Sequence, residues 1–232
     1  MGGYTEALRN RYPSYQSCSW FTIFRHPVPR LVSAFFYCQK KPNDRCCGTN
    51  SMPAEAHVDI IAFAKHWGNF AVRQFAMGFI SAEDVIAYYY RNKCRQSDGG
   101  RVSGWYMLKT YLENTTDCGA DNQRENDIMY NMLQPIRDLV SERFTAVGIL
   151  EEFNTSISLF DAALGMPHMD WYRKFSRIGV KNADIKYKGE EEKVLAEAWT
   201  DTELKGYLDL DLLLYEHAVD VFHRQARLYE VI

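Results

Sequence analysis

Arg25, Arg30 and Ser33 are the residues whose types and spacing could do chemistry together. Arg25 ends a short apolar, β-branched run, Trp20-Phe21-Thr22-Ile23-Phe24, which reads as a buried strand. Pro27 and Pro29 follow, and the residue before each is pushed away from helical dihedrals. Pro29 suits the first position of a helix, where its missing N–H would have had no partner anyway. That helix is expected to run to about Lys40. Leu31 with Phe35, and Val32 with Phe36, form its i,i+4 apolar pairs, while Arg30, Ser33 and Tyr37 share a polar side. A strand end thus delivers a guanidinium to the start of a helix that offers a hydroxyl one turn on. A fork of donors, a hydroxyl and the positive end of a helix dipole suit an anion, above all a phosphate. Taken alone, Arg25 reads more readily as the ion-pair partner of Glu151 or Glu152 at a second strand end, and Arg30 as a packed stem with a solvated head; Pro27, Arg30 and Ser33 together turn the reading of Arg25 toward a phosphate.

The elements that must position these groups are few strands and many helices. Phe144 to Leu150, FTAVGIL, is the other segment with a buried-strand pattern; Asn154 or Thr155 can cap a helix after it, which Gly165 and Pro167 end. Helical spacing is expected over Ala54 to His66, over Phe70 to Met77, and from a Ser81 N-cap to about Cys94. A long helix is expected over Asp121 to Glu142, with Ile128, Met132, Ile136, Leu139 and Val140 on its apolar side and a bend at Pro135. Residues 96–104 and 114–122 read as loops. Glu190-Glu191-Glu192 reads as a solvated helix start. The fold class is therefore α/β, a short parallel sheet with many helices.

With 232 residues, 47% of them hydrophobic and 25% charged, the chain fits a single globular domain over residues 1–232. A net charge of −3 argues against a general nucleic-acid binder and leaves room for a local basic pocket. No apolar run has transmembrane length, and the opening MGGYTEALRNRYP lacks the apolar core of a signal peptide. The six cysteines, Cys18, Cys38, Cys46, Cys47, Cys94 and Cys118, show no CxxC spacing, so disulfides are expected if the compartment is oxidising. Sequons at Asn114 and Asn154 lean the same way, whereas buried thiols in a reducing compartment are the other reading. His57, His66, His168, His217 and His223 show no metal-ligand spacing, and no metal is expected.

The run Arg25-His26-Pro27-Val28-Pro29-Arg30-Leu31-Val32-Ser33 resembles the 3′-phosphate-binding motif of sulfotransferases, in particular the Golgi carbohydrate sulfotransferases that use 3′-phosphoadenosine 5′-phosphosulfate (PAPS). His26 stands where the family more often has Asp. The Val147-Gly148 to Glu151 segment is similar to the family's Val-Gly-x-x-Glu unit, and residues 212–225, LLLYEHAVDVFHRQ, to its closing helix. The three matches fall in the family's order. The resemblance implies a P-loop-NTPase-like sulfotransferase fold and transfer of a sulfuryl group from PAPS to a hydroxyl of a glycan or glycoconjugate acceptor, in the Golgi. It also implies that Arg25 and Ser33 hold the 3′-phosphate, with Arg30, Arg173 and Lys174 as further nucleotide contacts. The family's Pro-Lys-x-Gly loop for the 5′-phosphosulfate has no counterpart in the chain, and Gly3 falls where related enzymes place a His that can act as base. The fold is therefore expected to be incomplete at its N-terminal strand and loop, with the catalytic residues unassigned. A catalytically inactive remnant that binds the 3′-phosphate or acts as an interaction domain is the alternative, and a helical α/β domain with an accidental motif a third reading.

Overall fold

The computed structural model describes residues 20–42, 47, 53–76, 122–164 and 185–232. The chain divides into two compact units: Ser19–Asn69 with Arg137–Ile232, and Met1–Cys18 with Phe70–Ile136. Among the described residues the elements in order are β1 (Phe21–Phe24), α1 (Pro27–Lys40), a 3₁₀ turn (Ala54–His57), α2 (Ile60–Trp67), α3 (Phe70–Ala76), α4 (Asn122–Arg143), β2 (Ala146–Ile149), a second 3₁₀ turn (Leu150–Glu152), α5 (Phe153–Leu164), α6 (Ile185–Thr200), α7 (Thr202–Gly206) and α8 (Asp209–Leu228). The architecture is mostly helical around a two-stranded parallel sheet, an α/β arrangement. The expected helix from Ser81 to Cys94 lies outside the described residues, as do loop 96–104 and all of loop 114–122 but its last residue.

β1 and β2 pair in register Phe21 with Ala146 through Phe24 with Ile149, so both strands point their C-terminal ends to the same place. β2 is buried along its length, as its apolar run predicts. β1 departs from the expected buried strand: Phe24 is buried, but Phe21 is 56% and Ile23 41% exposed. The reason is position. Both strands are edges of the two-stranded sheet, but β2 is covered by α5 and α8, whereas the face of β1 that carries Phe21 is only partly covered by the Phe160 ring of α5, 5.4 Å away. Close packing of α5 on β2 depends on Gly148, where a Cβ would collide with the Phe160 ring and Ser156.

The apolar face of α1 forms as its spacing predicts. Leu31, Val32, Phe35 and Phe36 are all buried in one cluster with Val28, Phe63 and Ala64 of α2, Ala198 of α6, and Leu204 and Leu208. The helix begins at Pro27, two residues before the expected start, because His26 supplies the cap. The helix expected over Ala54 to His66 is broken. Asp59 adopts an extended conformation and its carboxylate accepts from the Ile61 and Ala62 N–H groups, at 3.0 and 3.2 Å, which starts α2 afresh. At the other end of α2, Gly68 lies so close to the Tyr207 and Ala64 carbonyls that no side chain fits. Asn69 then takes a left-handed φ of 50°, which Asn tolerates, and its amide ties α2 to the start of α8 by donating to Asp209 and accepting from the Asp211 N–H. The Glu190–Glu192 run lies inside α6 and not at its start. In the other unit, Val72 of α3 and Leu133 and Ile136 of α4 are buried.

Candidate functional site

Parallel strands of an α/β sheet gather ligand-binding groups at their carboxyl ends. Here Arg25 and His26 follow β1, and Glu151 and Glu152 follow β2. The His26 backbone N–H donates to Glu151 Oε1 at 2.9 Å, and the Tyr215 hydroxyl of α8 donates to the other oxygen, Oε2, at 3.0 Å. Glu152 meets His223 Nε2 at 2.9 Å. Both carboxylates are thus engaged by groups other than Arg25. A depression of about 290 Å³ beside them is lined by Glu151, Glu152, Phe153, Asn154 and Thr155.

Arg25 is half-buried and has no hydrogen-bond or ion-pair partner among the described residues. The ion pair with Glu151 or Glu152 that its position allowed does not form. Arg30, by contrast, is matched: its Nη2 lies 2.8 Å from Asp211 Oδ2, whose side chain is fully buried. Burial lowers the Arg30 pKa, Asp211 opposes this, and the charge of Arg25 adds to the lowering, so the two guanidiniums are electrostatic neighbours. Ser33 is half-buried on the polar side of α1 and likewise has no hydrogen-bond partner among the described residues. The structure therefore leaves Arg25 and Ser33 available and commits Arg30 to α8. Arg173 and Lys174 lie outside the described residues.

The helix start contributes differently from the sequence expectation. Pro27 and Pro29 have no N–H; the Val28 N–H donates to His26 Nδ1 at 3.3 Å and the Arg30 N–H to the His26 carbonyl at 3.1 Å. The first turn of α1 thus retains no free backbone donor, and an anion there would meet the dipole's field, a guanidinium and a hydroxyl. His26 does the work of an acceptor cap, which is what the more usual Asp would do at this place. Its ring is wedged against Trp199 of α6 and Tyr215, with centroids 4.4 and 5.0 Å apart. Burial depresses the His26 pKa, with Glu151 raising it and Lys205 lowering it further. Burial, followed by Glu151 and Glu152, pushes the Tyr215 hydroxyl upward, so it stays a donor to Glu151 at neutral pH.

A pH dependence follows. A histidine whose folded pKa is depressed stabilises the fold fully above its unfolded pKa, about 6.5, and that contribution is lost as pH falls below it toward the folded pKa. Urea midpoints measured between pH 8 and 5 should therefore fall on the acid side. His26→Asn, which keeps an acceptor at the cap, should flatten that part of the profile, and His26→Ala should lose about 1 kcal/mol at neutral pH, the usual worth of an N-cap. A profile unchanged by His26→Asn would contradict the titration of His26 as the source of the acid limb, and a neutral-pH midpoint unchanged by His26→Ala would contradict the capping role.

Asp211, Tyr215 and Trp199 completed this site without being singled out in the sequence. Asp211 carried a usable signal as an acid on the buried side of an amphipathic helix, and Tyr215 lies within the 212–225 run that resembles the closing helix. Among the described residues no group of three or more His, Cys, Asp or Glu side chains is placed to hold a metal ion, and no helix is long and apolar enough to cross a membrane. Comparison of the chain with protein-family models, with curated proteins and with solved structures returns no match, so its function is read from the chemistry of the site.

Proposed function

We propose that the β1–α1 turn is the 3′-phosphate half of a nucleotide site, and that the chain is a sulfotransferase-type domain acting with PAPS on a glycan hydroxyl. The observation that carries this reading is Arg25: a half-buried guanidinium at a strand's carboxyl end with no protein partner among the described residues, beside an Arg30 already matched by Asp211. A guanidinium with no protein partner among the described residues is open to an anion, and a phosphate fits its fork of donors. Ser33 adds a hydroxyl from the following helix that has no partner among the described residues. His26, Glu151 and Tyr215 fix the backbone on which Arg25 sits. When bound, PAPS would supply the sulfuryl group, and Arg173 and Lys174 are proposed as further contacts to the nucleotide. The wider fold is read as the P-loop-NTPase-like sulfotransferase type. A Golgi setting agrees with the Cys38–Cys47 disulfide, which favours an oxidising compartment.

A second reading, a module that binds the nucleotide without transferring sulfate, is favoured by Glu151 and Glu152 both being engaged, so that neither is a free base beside Arg25. Calorimetry with adenosine 3′,5′-bisphosphate tests the shared part. Binding is expected, Arg25→Ala should weaken it about 10- to 100-fold, as a charge-assisted hydrogen bond implies, and Ser33→Ala by less. Absence of binding, or affinity unchanged in Arg25→Ala, would remove the nucleotide assignment. Transfer of labelled sulfate from PAPS to glycans then separates the enzyme from the binding module.

A further inference from the structure

The two edges of the sheet are finished in different ways. On β2 the outward Val147 N–H donates to the Gln225 side chain at 2.8 Å, and the same amide donates back to the Phe144 carbonyl. The Ser156 hydroxyl accepts from the Ile149 N–H and donates to the Ile149 carbonyl, at 2.8 and 2.9 Å. That edge is closed by the protein's own side chains. On β1 the Trp20 carbonyl accepts from the Ala146 N–H, so by strand alternation Trp20, Thr22 and Phe24 face β2 while Phe21 and Ile23 turn their N–H and C=O groups outward. Neither outward residue has a hydrogen-bond partner among the described residues, and their side chains are 56% and 41% exposed.

We infer that this edge of β1 pairs with the same edge of a second copy of the chain, antiparallel about a twofold axis at Thr22. The register is self-complementary. Phe21 stands opposite Ile23 of the second copy and Ile23 opposite its Phe21, each pair exchanging both N–H···O bonds. Each is also an aromatic–β-branched pair on one face, a favourable cross-strand combination. Residues 20–24 carry no charge and no proline, so the symmetric approach opposes no like charges, and the four-residue length of β1 is what limits its edge. Two exposed side chains per copy fall short of the roughly 1,000 Å² of a stable interface, so the dimer is weak and concentration-dependent.

Sedimentation velocity on the full chain over a concentration series, together with amide exchange, tests this. The wild type should shift from monomer to dimer as concentration rises, with the Phe21 and Ile23 amides protected only in the dimer. Ile23→Lys, with an unchanged circular dichroism spectrum, should raise the dimer Kd at least tenfold. Phe21→Pro, which deletes one outward N–H and leaves the ladder to β2 intact, should do the same and serves if the lysine variant misfolds. A wild type that stays monomeric overturns the proposal, and protected Phe21 and Ile23 amides in that monomer would assign the edge to another segment of the chain. Dimerisation undiminished in both variants overturns it as well.

Discussion

Asp211→Ala is expected to destabilise the Ser19–Asn69 and Arg137–Ile232 unit by about 3–5 kcal/mol, the cost of leaving a buried cation without its anion. Asp211 is fully buried in α8 and Arg30 of α1 reaches it at 2.8 Å with less than a quarter of its side chain exposed, so water replaces the lost anion only in part. The backbone N–H of Asp211 donates to the Asn69 side-chain carbonyl, which ties the pair into the junction of α2 and α8. Replacing both partners, as in Arg30→Met with Asp211→Leu, should recover most of the loss, because two well-packed apolar groups avoid the desolvation of two charges. Urea midpoints for the single and double variants check this. Similar midpoints for Asp211→Ala and the wild type would mean that the pair is solvated and not structural.

Breaking the Cys38–Cys47 disulfide is the second large effect. Cys38 lies in the last turn of α1, Cys47 is fully buried, and their Cα atoms are 5.0 Å apart across a sequence separation of 9. Closing a loop of that size limits the unfolded chain by about 2.5 kcal/mol in the chain-entropy account. Because Cys38 belongs to the same buried cluster as Phe35 and Phe36, the cross-link also pins the end of the helix that carries Ser33. Reductant should therefore lower the urea midpoint of the wild type and leave that of Cys38→Ser with Cys47→Ser, already low, unchanged. A wild-type midpoint indifferent to reductant would count against the bond.

The strand–turn–helix at Trp20 to Lys40 was legible because its signals are local: an apolar run, two prolines, and i,i+4 pairs that bury as spaced. The second strand was legible for the same reason, and its pairing with the first is parallel. What was not legible depends on contacts far apart in sequence. Arg30 reads as a free cation until Asp211, 181 residues on, is brought beside it. His26 reads as a substitution for Asp until its ring nitrogen is seen capping α1. The buried character expected of Phe21 and Ile23 failed because side-chain type records a preference for burial, whereas strand position decides whether a neighbour exists to supply it. Asp59 split an expected helix because a local carboxylate cap outcompeted continuous helical spacing.

Recognition of a nucleotide 3′-phosphate by Arg25, as proposed, is tested by a cycle that removes each partner in turn. Calorimetric affinities would be measured for adenosine 3′,5′-bisphosphate and for adenosine 5′-phosphate, each with the wild type and with Arg25→Ala. Losing the 3′-phosphate should weaken binding to the wild type about 10- to 100-fold and weaken binding to Arg25→Ala little, since the charge-assisted contact is already gone. Equal losses in both proteins, or no preference of the wild type for the 3′-phosphate, would contradict it.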